Sequence, residues 1–332
     1  ERRQRGCGVT GMPEPGRPTG SDPLVITGYG HYFPEDRRAL DGFPALRPGH
    51  PEQAVVGHAV PNSRHVCAPG EGVEELALAA GRQALQDAGR QPNEVDLLIL
   101  SSWTNPIPLP ARAPAVAARL GSSRALAFDL NAACLGFLLG LRLAGEHLRS
   151  NPSSVVLLVA ADRFSQRVRP GSRGELVCGD GAGAVVLESG AAEGSTVLDV
   201  ALRSEGELAG VVTVRGKGQW ITSREDVAEV ASGAMIARAT EVLERCGLGL
   251  PDIDWAVPHS GTAQVLESLH GRLGLPPEQV LTNYQHRANT GSATIPSSLS
   301  EFRRSGHLRA GDLVLAPSVG SGWYSGAMLL RM

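Results

Sequence analysis

The chain has 332 residues, a net charge of −3 and a pI near 6.3. That length builds one large or two ordinary domains with a sizeable core, and the slightly acidic balance excludes an electrostatic case for nucleic-acid binding. No apolar run approaches the ~20 residues of a membrane span, and five cysteines (Cys7, Cys67, Cys134, Cys178, Cys246) without CxxC spacing argue against a zinc site or disulfide framework and fit a reducing cytoplasm.

In chain order, residues 1–23 are rich in Arg, Gly and Pro and lack periodicity, so they read as a leader outside the core. The fold is expected to begin with a short strand at Leu24–Gly28. A helical run, Leu76–Ala88, leads to the apolar strand Leu97–Leu100. A helix over Leu135–Leu148 is apolar around nearly its whole circumference and thinned by Gly136, Gly140 and Gly145, which predicts burial with close backbone approach. Val155–Ala160 and Val185–Leu187 follow as strands. Residues 190–233 are the least legible; Arg215, Lys217 and Trp220 there form either a ligand-facing loop or an ordinary solvated connection. The helix Ala234–Cys246 and the strands Trp255–Pro258, Leu313–Ala316 and Met328–Leu330 complete the pattern.

Four landmarks recur at one offset of 158 residues: Gly89 and Gly247, Asp96 and Asp254, Asn131 and Asn289, Val155 and Leu313. A duplicated α/β half-domain accounts for this spacing. Strands apolar on both faces need helices on both sides, so two halves stack most simply as α-β-α-β-α with the central helices sandwiched.

Chemistry should then sit where the halves differ. Cys134, in Asp129-Leu-Asn-Ala-Ala-Cys-Leu-Gly-Phe137, lies between a strand and the buried helix. A helix N-terminus would favour its thiolate, although free cysteine is commonly a small buried hydrophobe. His259 follows the strand Trp255–Pro258 and reads alternatively as a core or capping residue. Asn289, in Asn-Thr-Gly, reads alternatively as a turn or N-cap residue. Corresponding strand ends converge, so the three could share one pocket in which a thiolate attacks an acyl carbonyl while His and Asn donate to an oxyanion or enolate. Gly320-Ser-Gly322 could add a backbone donor beside the Cys134 N–H, or be a simple bulge. Gly179-Asp-Gly-Ala-Gly183 precedes a strand rather than a helix and is rejected as a phosphate loop. Arg163, Arg167, Arg169 and Arg173 form a solvated basic face or a landing surface for a carrier protein or coenzyme A phosphate.

These motifs, with Val257-Pro-His259, Asn289-Thr-Gly-Ser-Ala-Thr-Ile-Pro296 and the Gly-rich C-terminus, resemble the β-ketoacyl-ACP synthase III family of thiolase-fold condensing enzymes, from about Leu24 to Met332. The resemblance implies a duplicated five-layer αβαβα fold with halves at 24–190 and 191–332, a homodimer, acylation of Cys134 with His259 and Asn289 beside it, and Gly320 as second oxyanion donor. It also implies coenzyme A or phosphopantetheine thioesters as substrates, with no metal or resident cofactor. Leu109 falls where the partner subunit closes the acyl pocket, and a leucine there leaves room for a bulky or branched acyl group. Departures are concentrated in donor recognition. Residues Pro51–Asn62 lack the Trp and Arg that usually precede a segment matching Arg64-His65, with His58 near the Arg position. His259-Ser-Gly-Thr-Ala-Gln264 lacks an Arg of the family pattern, and Ala288 replaces a glycine. The expectation is decarboxylative Claisen condensation of the acyl group with a malonyl-carrier, in secondary metabolism of polyketide type. The alternative is acyl transfer to a hydroxyl, amine or second carrier thiol. A third reading, a non-catalytic partner of a synthase complex, requires Cys134 to be dispensable, and a thiolase proper would need a second cysteine near Gly320–Gly326.

Overall fold

Apolar runs become strands where both faces are covered. In the computed structural model, which describes residues 22–40, 60–105 and 109–332, the N-terminal half contributes β1 (Leu24–Tyr32), β4 (Val95–Ser101), β5 (Leu126–Leu130), β6 (Val155–Arg163) and β7 (Asp180–Ser189). A small ribbon, β2 (Arg37–Ala39) with β3 (Ser63–His65), stands apart. The C-terminal half contributes β8 (Ser195–Ser204), β11 (Trp255–Ala256), β12 (Leu313–Gly320) and β13 (Tyr324–Arg331), with a hairpin of β9 (Val212–Arg215) and β10 (Trp220–Ser223). The residues expected as a leader, apart from 22 and 23, and His58 with most of Pro51–Asn62, lie outside the described residues.

The two halves share one strand order, β4-β6-β7-β1 matching β11-β12-β13-β8. They join into a single nine-stranded sheet through a short antiparallel contact of Leu24–Ile26 with Ser195–Val197. The offset of 158 extends to individual hydrogen bonds. Asp96 Oδ2 accepts from the Val155 N–H at 3.0 Å, and Asp254 Oδ2 from the Leu313 N–H at 2.8 Å. Each carboxylate thus ties the first residue of one parallel strand to its neighbour. Among the described residues β5 has no full strand counterpart: beside β11 stands a single parallel bridge of Val280 with Ala256, and the positions 158 residues after β5 form the short helix α7 (Tyr284–Arg287).

The helices α3 (Gly136–Ser150) and α8 (Thr294–Arg304) lie between the half-sheets. Their apolar side chains, Phe137, Leu138, Leu141, Ile295 and Leu299, share one core with Ile99 and Leu158 of the first half and Val314 and Met328 of the second. Helices α1 (Val73–Asp87) and α2 (Ala113–Leu120) cover the outer face of the first half. Helices α5 (Val227–Arg245) and α6 (Ala263–Leu273) cover the second. The result is the expected order α-β-α-β-α. On α3, a Cβ at Gly140 would collide with the Leu158 side chain and one at Gly136 with Ser101, so those glycines permit close packing, whereas Gly145 would meet only Leu24 at 3.4 Å.

The region that was least legible, residues 190–233, holds β8, the strand that joins the halves. Its faces differ: Val197 and Val200 point into the central core, Ala201 and Leu198 into the outer one. Asp199 and Arg203 interrupt what would otherwise be a recognisable apolar run.

Candidate active site

Cys134 sits in a single 3₁₀ turn, Ala133–Leu135, between β5 and α3. The turn is therefore ahead of the helix rather than on its first residue. Ala133 has φ 47°, in the left-handed region that costs a non-glycine residue of order 1–2 kcal/mol. The duplicated turn, Gly291–Ala293, packs against it and carries Gly291 at φ 64° in the equivalent position.

Three contacts anchor the cysteine turn. The Leu135 N–H donates to Ala132 O at 3.1 Å, the Ala133 N–H to Asn131 Oδ1 at 3.3 Å, and Ser318 Oγ to Cys134 O at 3.4 Å. Gly320, at the end of β12, lies so close that a Cβ there would meet Ala132 O at 2.7 Å, Leu135 N at 2.9 Å and Cys134 N at 3.2 Å. Pairing of β12 with β13 runs without a break through Gly320 and Tyr324, so a bulge is not the reason for this glycine. Close approach to the cysteine turn is.

His259 follows β11 and is 3% exposed. Its N–H donates to Pro317 O at 2.9 Å, hanging it from the same strand that carries Ser318 and Gly320. Its Nδ1 has no hydrogen-bond partner, and burial lowers the imidazole to about 4. The ring is neutral at pH 7 and retains one N–H donor and one acceptor.

Asn289 is held from both sides. Its N–H donates to Val177 O at 2.8 Å, and its carbonyl accepts from the Gly179 N–H at 2.9 Å, forming a bridge with Cys178. Oδ1 accepts from the Gly291 N–H at 2.9 Å, which leaves Nδ2 as the side chain's remaining donor. The structure thus brings the three candidates to one region: Cys134 and His259 both fasten to β12, while Asn289 Oδ1 holds the Gly291–Ala293 turn that packs against the cysteine turn.

The dipole argument for a thiolate needs correction. Burial pushes the Cys134 thiol well above its ordinary value, and the Asp162 carboxylate adds to the rise. The thiol and the His259 imidazole are therefore both neutral at pH 7.

Asp162 escaped the sequence reading. It ends the apolar run of β6 and occupies the position 158 residues before Gly320. Fully buried, it accepts from Ser292 N at 2.8 Å and Ser292 Oγ at 2.7 Å through Oδ2, and from Trp103 N at 3.1 Å, Ser102 Oγ at 3.2 Å and Thr104 Oγ1 at 3.2 Å through Oδ1. Burial raises it to about 6 against these hydrogen bonds. A charged residue closing an otherwise apolar strand was the available signal.

The four arginines do not share one solvated face. Arg169 is exposed and Arg163 and Arg173 are half-buried, but Arg167 is only 8% exposed. Arg167 donates from Nη1 to Gln219 Oε1 at 2.8 Å and from Nη2 to Asn105 O at 3.1 Å. It lines a cleft of about 380 Å³ with Trp103, Val214, Gly216 and Gln219. The β9–β10 hairpin, of which Arg215 and Trp220 are the flanking residues and Lys217 a tip residue, therefore walls a cleft rather than merely connecting the halves. Gly179-Asp-Gly belongs to the start of β7, where Asp180 accepts from Cys67 N, Ser165 N and Ser165 Oγ; no helix follows, and the loop is structural. Arg64 is likewise bound inward, to Glu175 at 3.0 Å. Leu109 is 78% exposed. Among the described residues no cluster of metal-ligating side chains occurs, and no helix is long and apolar enough to cross a membrane.

Two family models match: residues 128–206 fit 3-oxoacyl-[acyl-carrier-protein] synthase III, and residues 243–332 fit its C-terminal region. The β-ketoacyl-[acyl-carrier-protein] synthase III of Cereibacter sphaeroides is 33% identical over 318 residues, covering 92% of this chain and 98% of its own. The chain belongs to the β-ketoacyl-ACP synthase III family. Its enzyme class is that of acyltransferases. Among solved structures, the 3-oxoacyl-(acyl carrier protein) synthase III of Pseudomonas aeruginosa matches with TM-score 0.85 and 34% identity, over 93% of this chain and 98% of that one. The priming β-ketosynthase of the R1128 polyketide pathway matches with TM-score 0.85 and 27% identity, over 95% and 98%. These agreements establish the thiolase-type fold. Within the β-ketoacyl-ACP synthase III framework, the departure at Ala288 has a structural cost: φ 61° and ψ −166° lie in a region almost reserved for glycine.

Proposed function

We propose that this protein condenses an acyl group, carried on Cys134, with a malonyl-carrier. Residues 24–190 supply the nucleophile and 191–332 supply His259 and Asn289. The observation that carries this reading is the joint attachment of the Cys134 turn, His259 and Gly320 to β12. The thiol attacks the thioester carbonyl, its proton passes to the neutral His259, and the intermediate collapses as the donor's carbon–sulfur bond breaks and His259 returns that proton to the departing coenzyme or carrier thiol. The Cys134 and Gly320 N–H groups receive the oxyanion of the tetrahedral intermediate. In the second half-reaction carbon dioxide leaves the malonyl thioester, and the enolate oxygen is stabilised by N–H donors of His259 and Asn289. The enolate carbon then bonds to the acyl carbon and the Cys134–acyl bond breaks.

Acyl-coenzyme A or acyl-carrier protein is the donor in this scheme. The names of the relatives at 32–36% identity favour carrier-protein β-ketoacyl synthesis of the kind those enzymes carry out. A secondary-metabolism role finds no support, since the polyketide priming enzyme is the more distant match at 27%. A homodimer is supported by β5, the outermost strand of the sheet, with Leu126 66% exposed, and by the exposed Leu109. Arg163, Arg169 and Arg173 remain candidates for the carrier or coenzyme phosphates, and a cytoplasmic location fits the free cysteines.

Asn289→Ala tests the condensation step. The variant should still form acyl-Cys134 but release carbon dioxide from malonyl-carrier at least tenfold more slowly. Unchanged carbon dioxide release would remove Asn289 from the decarboxylation, and discharge of the adduct to a hydroxyl or amine at the wild-type rate would favour plain acyl transfer.

A further inference from the structure

Arg167 is a buried cation with no carboxylate partner among the described residues. Its two hydrogen bonds go to neutral groups, the Gln219 side chain and the Asn105 carbonyl, and Nε has no partner at all. Burying an unpaired charge is strongly unfavourable, so such a group points to an anion that arrives with a ligand. The cleft it lines is open beside it, and a second unpartnered buried donor, Trp103 Nε1, lies on a residue of the same wall.

What lies beside this cleft decides the ligand. The Trp103 ring packs edge-on against Phe164 at 4.9 Å, and both belong to an apolar cluster with Val168, Cys178, Val177 and Ile221. Cys178 is bridged to Asn289, and the Trp103 N–H is tied to Asp162, which also holds the duplicated turn that packs against the Cys134 turn. The side chains between the guanidinium and the cysteine turn are thus apolar, and they match methylene groups rather than a phosphate.

We propose that the cleft lined by Trp103, Arg167 and Gln219 is a subsite for an acyl group that ends in a carboxylate, held by Arg167. This rests on the reading of Cys134 as the acyl acceptor. The acyl stem lies along Trp103 and Phe164, and the terminal carboxylate accepts from the guanidinium, with the Trp103 indole as a further donor. Gln219 and Asn105 hold Arg167 in place before the ligand binds, which limits the entropy lost on binding.

The test compares acyl-Cys134 formation by intact-protein mass spectrometry for pentanoyl- against glutaryl-coenzyme A and hexanoyl- against adipoyl-coenzyme A. Wild type should be acylated on the order of tenfold or more faster by the carboxylated member of each pair. Arg167→Gln should abolish that preference, and Arg167→Lys should keep part of it. No preference in the wild type, or one for the alkyl chains, overturns the proposal. The same acyl groups are then presented on N-acetylcysteamine, which lacks phosphates. A loss in Arg167→Gln that is equal for all coenzyme A thioesters and absent with N-acetylcysteamine would assign Arg167 to the coenzyme phosphate instead, and the subsite would fall. Calorimetric binding of adipate to Cys134→Ala protein, abolished by adding Arg167→Gln, reads the subsite without acylation. Binding there without acylation from any donor would retain the subsite and discard Cys134 as acceptor, whereas no binding at millimolar adipate overturns the subsite.

Discussion

Gly320→Ala perturbs the junction of β12 with the Cys134 turn by a single methyl group. That methyl would lie 2.7 Å from Ala132 O, 2.9 Å from Leu135 N and 3.2 Å from Cys134 N. All three are backbone atoms, so no side-chain rotation relieves the contact and the turn itself must move by several tenths of an ångström. Overpacking of this kind costs about 1–3 kcal/mol, a fall of a few degrees in Tm for a chain of this size. Displacing the Cys134 N–H from the oxyanion should slow acylation by about 100-fold or more, the effect of losing one such donor. The assay is the rate of acyl-Cys134 formation by intact-protein mass spectrometry, with thermal unfolding in parallel. Gly271→Ala in α6 serves as control, because a Cβ there meets nothing within 4 Å; it should leave acylation unchanged. Wild-type acylation and Tm in Gly320→Ala would refute the argument that this glycine exists for close approach to the cysteine.

Three further outcomes follow from the site. His259 has a folded pKa of about 4 against about 6.5 when unfolded, so it contributes stability that is lost as pH falls through that window. Between pH 7 and pH 5 the wild type should lose about 2 kcal/mol relative to His259→Gln by denaturant titration, and parallel pH profiles would contradict the burial of a neutral ring. Asp162→Asn removes the carboxylate that raises the Cys134 thiol, so the pH midpoint of Cys134 alkylation should move down; an upward shift would show that the carboxylate acts otherwise. Ala288→Gly relieves a backbone conformation that glycine adopts freely, and should stabilise the fold by about 1 kcal/mol in chemical denaturation, whereas destabilisation would mean that the Ala288 methyl packing outweighs the strain.

How much of this was legible depended on whether a feature repeats. The equal spacing of Asp96–Val155 and Asp254–Leu313 reflects a hydrogen bond made twice, which is why the duplication could be read and the layer order inferred. The same comparison exposes Cys134 and His259 as differences between matched positions, whereas Asn289, matched by Asn131, stood out by its Asn-Thr-Gly motif. Residues that fall off that spacing were harder. The strand β8, which matches β1 in strand order but not at the offset of 158, carries Asp199 between its two apolar faces. Arg167 read as one of four surface arginines, because nothing local signals that Phe164 and Val168 on either side draw that turn inward. Its burial comes from the hairpin about fifty residues away, beyond the reach of local pattern. The thiol of Cys134 was misjudged for the same reason: the helix dipole is a local effect, whereas burial and Asp162 are tertiary.

The central claim is that acyl transfer through Cys134 ends in carbon–carbon bond formation. Its most direct measurement is intact-protein mass spectrometry of the acylated enzyme chased with malonyl-carrier protein labelled in the free carboxyl group. Loss of the Cys134 adduct matched by an equal release of labelled carbon dioxide, with a β-ketoacyl product on the carrier, is the predicted result. An adduct that persists through the chase, or leaves Cys134 without carbon dioxide release, would contradict it.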